Sequence, residues 1–307
     1  MANRLDASAA GMYVISATPF TDTGALDLES TASLMDFYLR SGVTGMTILG
    51  IMGEAPKLAG DESISFVRAC LERFKLPIIV GVSAAGLDNL FSFSRRVVDA
   101  GAAGVMVAPV AGLKTDEQIH AYFEQVANGL KGIPWVLQDF PAVTTVTMST
   151  SLIVRLIADF PDIVMVKHED WPGNNKVTRL REAEGKGGRR VSILSGNGGA
   201  HYSQLLKRGV DGAMTGYAYP DLLVRTYDLF RAGKLDAAED VFDACLPLML
   251  QEMQPGLGLA VRKYALMKRG AIKSDRVRAP GPKLSDQDRA EIDRLMRRLE
   301  ARIKALG

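Results

Sequence analysis

The 307-residue chain is 47% hydrophobic and 23% charged, with 37 basic against 35 acidic residues. A net charge of +2 argues against a nucleic-acid or anionic-membrane partner, and no apolar run approaches the roughly 18 residues that span a bilayer. With 30 glycines and 13 prolines the chain is neither collagen-like nor low-complexity, so a globular protein with a large core is expected. The opening stretch MANRLDASAAGMYV lacks the continuous apolar core of a secretory signal. Cys70 and Cys245 both fall in helical patterns, with neither metal-ligand nor disulfide spacing, so a reducing, cytoplasmic setting is expected.

Short apolar runs alternate with longer amphipathic stretches along the chain. Tyr13–Ala17 precedes the helical pattern Leu28–Arg40, Gly45–Leu49 precedes Asp61–Phe74, and Pro77–Val82 precedes Leu87–Ala100. Gly104–Ala108 is followed by Asp116–Leu130, Trp135–Gln138 by Ser149–Phe160, and Ile163–Lys167 by Asn174–Glu184. Val191–Leu194 with Ala200–Arg208 and Gly212–Thr215 with Asp221–Arg231 complete the series. The runs are short, bounded by Gly, Pro or polar residues and apolar on both faces, as buried parallel strands are. Several helical patterns end in Ser-Gly, Ala-Gly or Arg-Gly, which suits an αβ turn.

Eight strands each followed by a helix predict the α/β class, specifically a (β/α)8 TIM barrel. An open doubly wound sheet is the rival; it usually has fewer strands, and no G-x-G-x-x-G opens the first unit. Three further helical patterns, Leu235–Leu250, Leu257–Arg269 and Ser285–Leu306, predict a C-terminal helical extension. The expected division is a barrel over 1–232 and a helical annex over 233–307. The basic last helix carries Glu291, Asp293 and Glu300 among its cations and reads as a solvated amphipathic face.

Chemistry in a barrel gathers at the C-terminal ends of its strands. Those ends carry Thr18-Pro19, Gly50–Glu54, Pro109, Gln138-Asp139, Lys167-His168-Glu169, Ser195-Gly196-Asn197 and Thr215-Gly216. Lys167 closes the apolar run Asp162–Val166. A buried amine is disfavoured in its charged form, which leaves a neutral, nucleophilic fraction. The plainer alternative is a lysine reaching over the rim to pair with Glu169. Gly50–Glu54 can aim consecutive backbone N–H groups at a carboxylate, and the glycine-rich turn after Ser195 allows close approach to a ligand. His120 and His201 read as packing or surface residues. His168 falls on the strand face opposite to Lys167. No cluster has metal-ligand spacing, and no Walker loop or serine triad is present.

Taken in order, Ala17-Thr18-Pro19-Phe20, Gly50-x-x-Gly53-Glu54, the Lys167 strand end, Ser195-Gly196 and Gly212-Ala213-Met214-Thr215-Gly216 resemble the dihydrodipicolinate synthase / N-acetylneuraminate lyase family. The resemblance covers nearly the whole chain. It implies a Schiff-base-forming lyase with Lys167 as the imine lysine, no cofactor, a small 2-oxo acid as substrate, and a homo-oligomer, a dimer or tetramer. Four departures stand out. Ile51 and Met52 replace the two threonines of the synthase loop, Gln138 replaces the general acid/base tyrosine, and Val110-Ala111 stand where the second relay tyrosine falls. The arginine that holds the synthase's second substrate falls near Val143.

Gln138-Asp139-x-Pro141, the Gly-Ala-Met-Thr-Gly turn with Pro220, and the run from Lys263 to Gly270 instead resemble the 2-keto-3-deoxy sugar-acid dehydratases. The expected activity is therefore that dehydration or a pyruvate-dependent aldol cleavage, with lysine biosynthesis disfavoured. A catalytically weak 2-oxo-acid-binding relative is the reading from another class, and a pyridoxal-phosphate barrel using Lys167 is a remote third. Catalytic roles are expected of Lys167, Gln138, Asp139 and Glu54, with Asp139 the first choice as proton shuttle. Thr18, Ile51, Met52, Gly53, Gly196, Asn197, Thr215 and Gly216 are expected to bind substrate. The Ile51/Met52 pair points to an apolar substrate arm.

Overall fold

The computed structural model describes residues 4–171 and 173–307. Eight parallel strands close into a barrel in sequence order: β1 (Gly11–Ile15), β2 (Gly45–Ile48), β3 (Ile78–Gly81), β4 (Gly104–Val107), β5 (Trp135–Asp139), β6 (Ile163–His168), β7 (Ser192–Ser195) and β8 (Gly212–Thr215), with β8 returning to β1. Strand identities match the expected runs to within a residue or two at each end. Closure leaves no sheet edge, so every strand is buried on both faces. That is why alternation of polar and apolar residues is absent from the sequence.

Alternation survives in where the side chains go. Tyr13, Ile15, Ile79, Met106, Val136, Met165, Leu194 and Met214 fill the barrel interior. Their neighbours, among them Val14, Leu137, Val166 and Ile193, face the surrounding helices and join the larger outer core. This two-residue parity has a direct chemical consequence. Lys167 shares the inner face with Met165, and Gln138 shares it with Val136, whereas Asp139 and His168 share the outer face with Leu137 and Val166. In-register pairing sets Gln138 beside Lys167 on adjacent strands.

The surrounding helices are α1 (Leu28–Arg40), α2 (Gly60–Arg73), α3 (Leu87–Asp99), α4 (Asp116–Gly129), α5 (Pro141–Thr144), α6 (Thr150–Asp159), α7 (Asn174–Gly185), α8 (Tyr202–Lys207) and α9 (Pro220–Arg231). Side-chain caps start several of them. Asp27 accepts from the Ser30 N–H at 2.9 Å, and Thr115 and Gln118 form a reciprocal capping box. The short α5 is an element that the sequence pattern did not predict. Pro141 starts it, and Thr145, in the left-handed region at φ 59°, ends it. The Gly50–Glu54 turn is also more structured than expected. Two 3-10 turns, Ile51–Gly53 and Ala55–Lys57, meet at a left-handed Glu54 (φ 55°) before α2 begins.

Beyond α9 come α10 (Leu235–Glu252), α11 (Gly258–Lys268) and α12 (Asp286–Ala305). Val241, Cys245, Leu248, Ile292, Met296 and Leu299 are buried between these helices and the barrel. Each such side chain contributes about 1.5–3 kcal/mol relative to exposure. α10 runs past its expected end at Leu250 to Glu252, and that extra half-turn brings a carboxylate to the barrel mouth. Among the described residues no helix is long and apolar enough to cross a membrane.

Candidate active site

A cavity of about 340 Å³ opens at the C-terminal end of the barrel. Its floor is apolar, built from the inward-facing Ile15, Met106 and Met214. Lys167 lies in its wall, 6% exposed, with Nζ 2.9 Å from Glu169 Oε2. The Glu169 backbone N–H donates to Asp139 O at 2.9 Å, extending the ladder beyond β6 so that residues 165, 167 and 169 form one inner column.

Glu169 is held from three directions. Gln138 Nε2 donates to Oε2 at 2.6 Å, and the Asn197 N–H donates to Oε1 at 3.2 Å. Lys167 supplies the third contact. Gly196 makes room for this arrangement, because a Cβ there would lie 2.3 Å from Glu169 Cγ. A carboxylate fixed beside a buried amine at a cavity wall can accept the ammonium proton and return it. Amine, carboxylate and orienting amide thus meet at one point of the cavity wall.

Of the expected substrate-binding residues, Ile51, Met52, Asn197, Thr215 and Gly216 line the cavity. Thr18, Gly53 and Gly196 stand behind its wall: Thr18 Oγ1 donates to Gly53 O at 2.6 Å and so braces the Gly50–Gly53 turn. Ile51 and Val143 are half exposed at the mouth, where the cavity continues into an apolar cleft of about 670 Å³ lined by Leu58, Phe93, Pro109 and Val143.

Two expected catalytic residues do not reach the cavity. Asp139, the first choice as shuttle, faces outward and is fully buried. Lys176 Nζ donates to its Oδ2 at 2.7 Å, and His168 Nδ1 lies 3.7 Å from the same oxygen. The parity of β5 decides this. Gln138 takes the inward position, so its neighbour cannot. Glu54 is likewise structural. Its carboxylate accepts from Lys263 Nζ at 2.6 Å, Lys57 Nζ at 2.9 Å and the Arg278 N–H at 3.0 Å, which ties the rim turn to the C-terminal segment. Lys263, in the run that suggested the sugar-acid branch, is therefore part of a structural lock. Burial pulls its ammonium down to about 8 even though Glu54 opposes the shift.

Sequence reasoning missed three residues that line the cavity. Glu169 was named only as the partner in a plain rim ion pair, although its inward parity with Met165 and Lys167 was a usable signal. Arg262 and its partner Glu252 gave no local signal, because α10 and α11 bring them over β8 from the annex. Arg262 Nε donates to Glu252 Oε2 at 2.7 Å, and both residues line the cavity. Burial raises the Glu252 carboxyl to about 7 against the pull of Arg262. Among the described residues no group of three His, Cys, Asp or Glu side chains is placed to hold a metal.

A closed eight-stranded α/β barrel with a buried lysine at its C-terminal rim defines a (β/α)8-barrel enzyme. The chain belongs to the dihydrodipicolinate synthetase family, whose family model matches residues 8–299, and it is a lyase of that family. It is 31% identical over 303 residues to the L-2-keto-3-deoxyarabonate dehydratase of Azospirillum brasilense, with 94% of each chain covered. It is also 31% identical over 304 residues to the 4-hydroxy-tetrahydrodipicolinate synthase of Sorangium cellulosum, covering 96% of this chain and 97% of that one. A crystal structure of dihydrodipicolinate synthase from Rhodopseudomonas palustris superposes with a TM-score of 0.95 at 46% identity, covering 96% of this chain and 99% of that one.

Proposed function

We propose that this lyase forms a Schiff base between Lys167 and the ketone of a 2-oxo acid, and that it dehydrates a 2-keto-3-deoxy sugar acid. The observation that carries the reading is the Lys167–Glu169 pair at 2.9 Å in the wall of the cavity. Glu169 takes the proton from the lysine ammonium, and the neutral amine adds to the ketone carbon. Glu169 returns that proton to the hydroxyl of the adduct, which leaves as water and gives a protonated imine, an electron sink, with Glu169 again a carboxylate. Glu169 then removes a C3 proton to form the enamine. The enamine expels the C4 hydroxyl as water, with the carboxylic proton of Glu169 going to the leaving oxygen. Water hydrolyses the resulting conjugated imine and frees Lys167.

The substrate carboxylate is assigned to the backbone N–H groups of the Gly50–Gly53 turn, which need no hydroxyl side chain. The identity to a named dehydratase is 31%, equal to that to one named synthase and below the 46% to the synthase structure from Rhodopseudomonas palustris, so identity does not favour the dehydratase. The choice rests on the site. Gln138 has no exchangeable proton near neutral pH, and its amide instead orients Glu169. That arrangement suits one carboxylate acting in place of the tyrosine relay. A homo-oligomeric, cytoplasmic enzyme is the accompanying expectation, and sedimentation analysis tests the assembly.

Borohydride reduction with pyruvate and with 2-keto-3-deoxy sugar acids, mapped by peptide mass, tests the function, with Lys167→Ala as control. An adduct on Lys167 carrying the dehydrated long chain is the expected result. A pyruvate adduct arising from the longer substrate makes the enzyme an aldolase instead. The absence of any adduct overturns the imine and promotes the binding reading.

A further inference from the structure

The cavity wall includes a buried donor that the chemistry at Lys167 does not use. Arg262 is 4% exposed, its Nε–H is engaged by Glu252, and its Nη1 is buried without a hydrogen-bond partner among the described residues. The guanidinium lies across Gly216 at the end of β8, where a Cβ would sit 2.4 Å from Nη1. Glu252 is fixed in turn, since its Oε1 accepts from the Ala218 N–H at 3.1 Å. A buried guanidinium nitrogen without a partner is costly. A fold that clamps it at a ligand cavity, and keeps a glycine beneath it, has placed a donor for an oxygen that the protein does not supply.

We propose that Arg262 is a specificity-determining residue that donates a hydrogen bond to a neutral oxygen, a hydroxyl, on the part of the substrate chain remote from the ketone. This rests on the Lys167 reading above and deepens it. Charge balance selects the neutral acceptor. The cavity wall carries Lys167 and Arg262 against Glu169 and Glu252, and the substrate brings one carboxylate of its own. A second carboxylate at Arg262 would face Glu252 with no further cation to offset it. The apolar floor explains why one such donor matters. Ile15, Met106 and Met214 offer a hydroxylated chain no hydrogen bond, so a missing partner at Arg262 is not replaced from below. Glu252 acts through Arg262 as a positioning residue.

The test compares two substrates that differ in one atom, a 2-keto-3-deoxy sugar acid and its analogue lacking the terminal hydroxyl, across wild type, Arg262→Met, Arg262→Lys and Gly216→Ala. With Arg262→Met, kcat/KM for the hydroxylated acid should fall by about 10- to 100-fold, while that for the deoxy analogue changes by less than about threefold. Arg262→Lys should recover part of the difference, and Gly216→Ala should reproduce the loss by displacing the guanidinium without removing it. Equal losses on both substrates would reduce Arg262 to a structural brace and overturn the proposal. Preference of the wild type for a 2-oxo acid with a distal carboxylate would overturn the neutral-acceptor assignment. Borohydride trapping with pyruvate, which has no distal chain, reports separately on Lys167. If that trapping fails, the same substrate pair is compared by calorimetric Kd, so the Arg262 result stands or falls on its own. Should Arg262→Met not fold, the Arg262→Lys and Gly216→Ala comparison decides.

Discussion

Lys167 with Glu169 and Lys263 with Glu54 are both buried lysine–glutamate pairs, at 2.9 and 2.6 Å, and both belong to the C-terminal rim of one barrel. They differ in what lies on the far side of the amine. Lys167 faces a cavity of about 340 Å³, so a substrate carbon can approach it. Lys263 is 0% exposed. It also donates to Arg276 O at 2.8 Å and lies 4.5 Å from the centroid of the Phe20 ring. Burial and an acidic partner are common to both pairs, so neither makes a lysine catalytic. Access and an unshared direction of approach are what set Lys167 apart. The second pair instead closes the rim by joining the Gly50–Glu54 turn to α11 and the segment around Arg278.

Substitutions in the two pairs should separate chemistry from folding. Lys167→Ala should lower kcat on the order of 10⁴-fold or more and abolish borohydride trapping, with stability changed by only about 1 kcal/mol because the cavity can hydrate Glu169. Next in size, Glu169→Gln keeps the side chain's shape and can accept from either Gln138 or the Asn197 N–H, but loses the exchangeable proton. A fall in kcat of about 10²- to 10⁴-fold is expected by steady-state assay, with slowed but surviving adduct formation. Near wild-type turnover would remove Glu169 from the mechanism.

The opposite outcome is expected at the second pair. Lys263→Met leaves Glu54 buried with only part of its compensation, and urea unfolding should show a loss of about 3–5 kcal/mol. The folded fraction should still trap pyruvate on Lys167. If trapping disappears while folding holds, the lock is not merely structural.

The smallest effect concerns pH. The Arg278 guanidinium, donating to both oxygens of Glu62 at 2.7 and 2.8 Å, holds that carboxyl down at about 2. A depressed carboxyl contributes stability that is present above its unfolded value of about 4.5 and is lost as pH falls toward 2. Glu62→Gln should therefore flatten the acid limb of stability against pH: the variant is less stable than wild type above about pH 5, and the two converge as pH falls toward 2. Because Arg278 also donates its backbone N–H to Glu54, this limb reports on the rim lock rather than on Lys167.

The strand order and the place of Lys167 at a strand end were legible because a closed parallel barrel buries both faces of each strand and turns sharply at both ends. Runs such as Ile163–Lys167 record that burial in their own composition. The rim was less legible. Asp139 and Gln138 are adjacent, and choosing between them needs the phase of β5, which two buried faces hide from the sequence. The Gly50–Glu54 turn was visible as a turn. That Glu54 also meets Lys263 and the Arg278 N–H required contacts more than 200 positions away in the chain.

By itself, then, the sequence determined the barrel, its helical extension and a lysine at the end of a buried strand, because each is written in local periodicity and at a strand end. Tertiary structure alone decided which carboxylate meets that lysine, which one locks the rim, and that an arginine from α11 overhangs β8. Those choices depend on register and on helix docking, where residues far apart in the chain come within hydrogen-bond distance and no single stretch carries the signal.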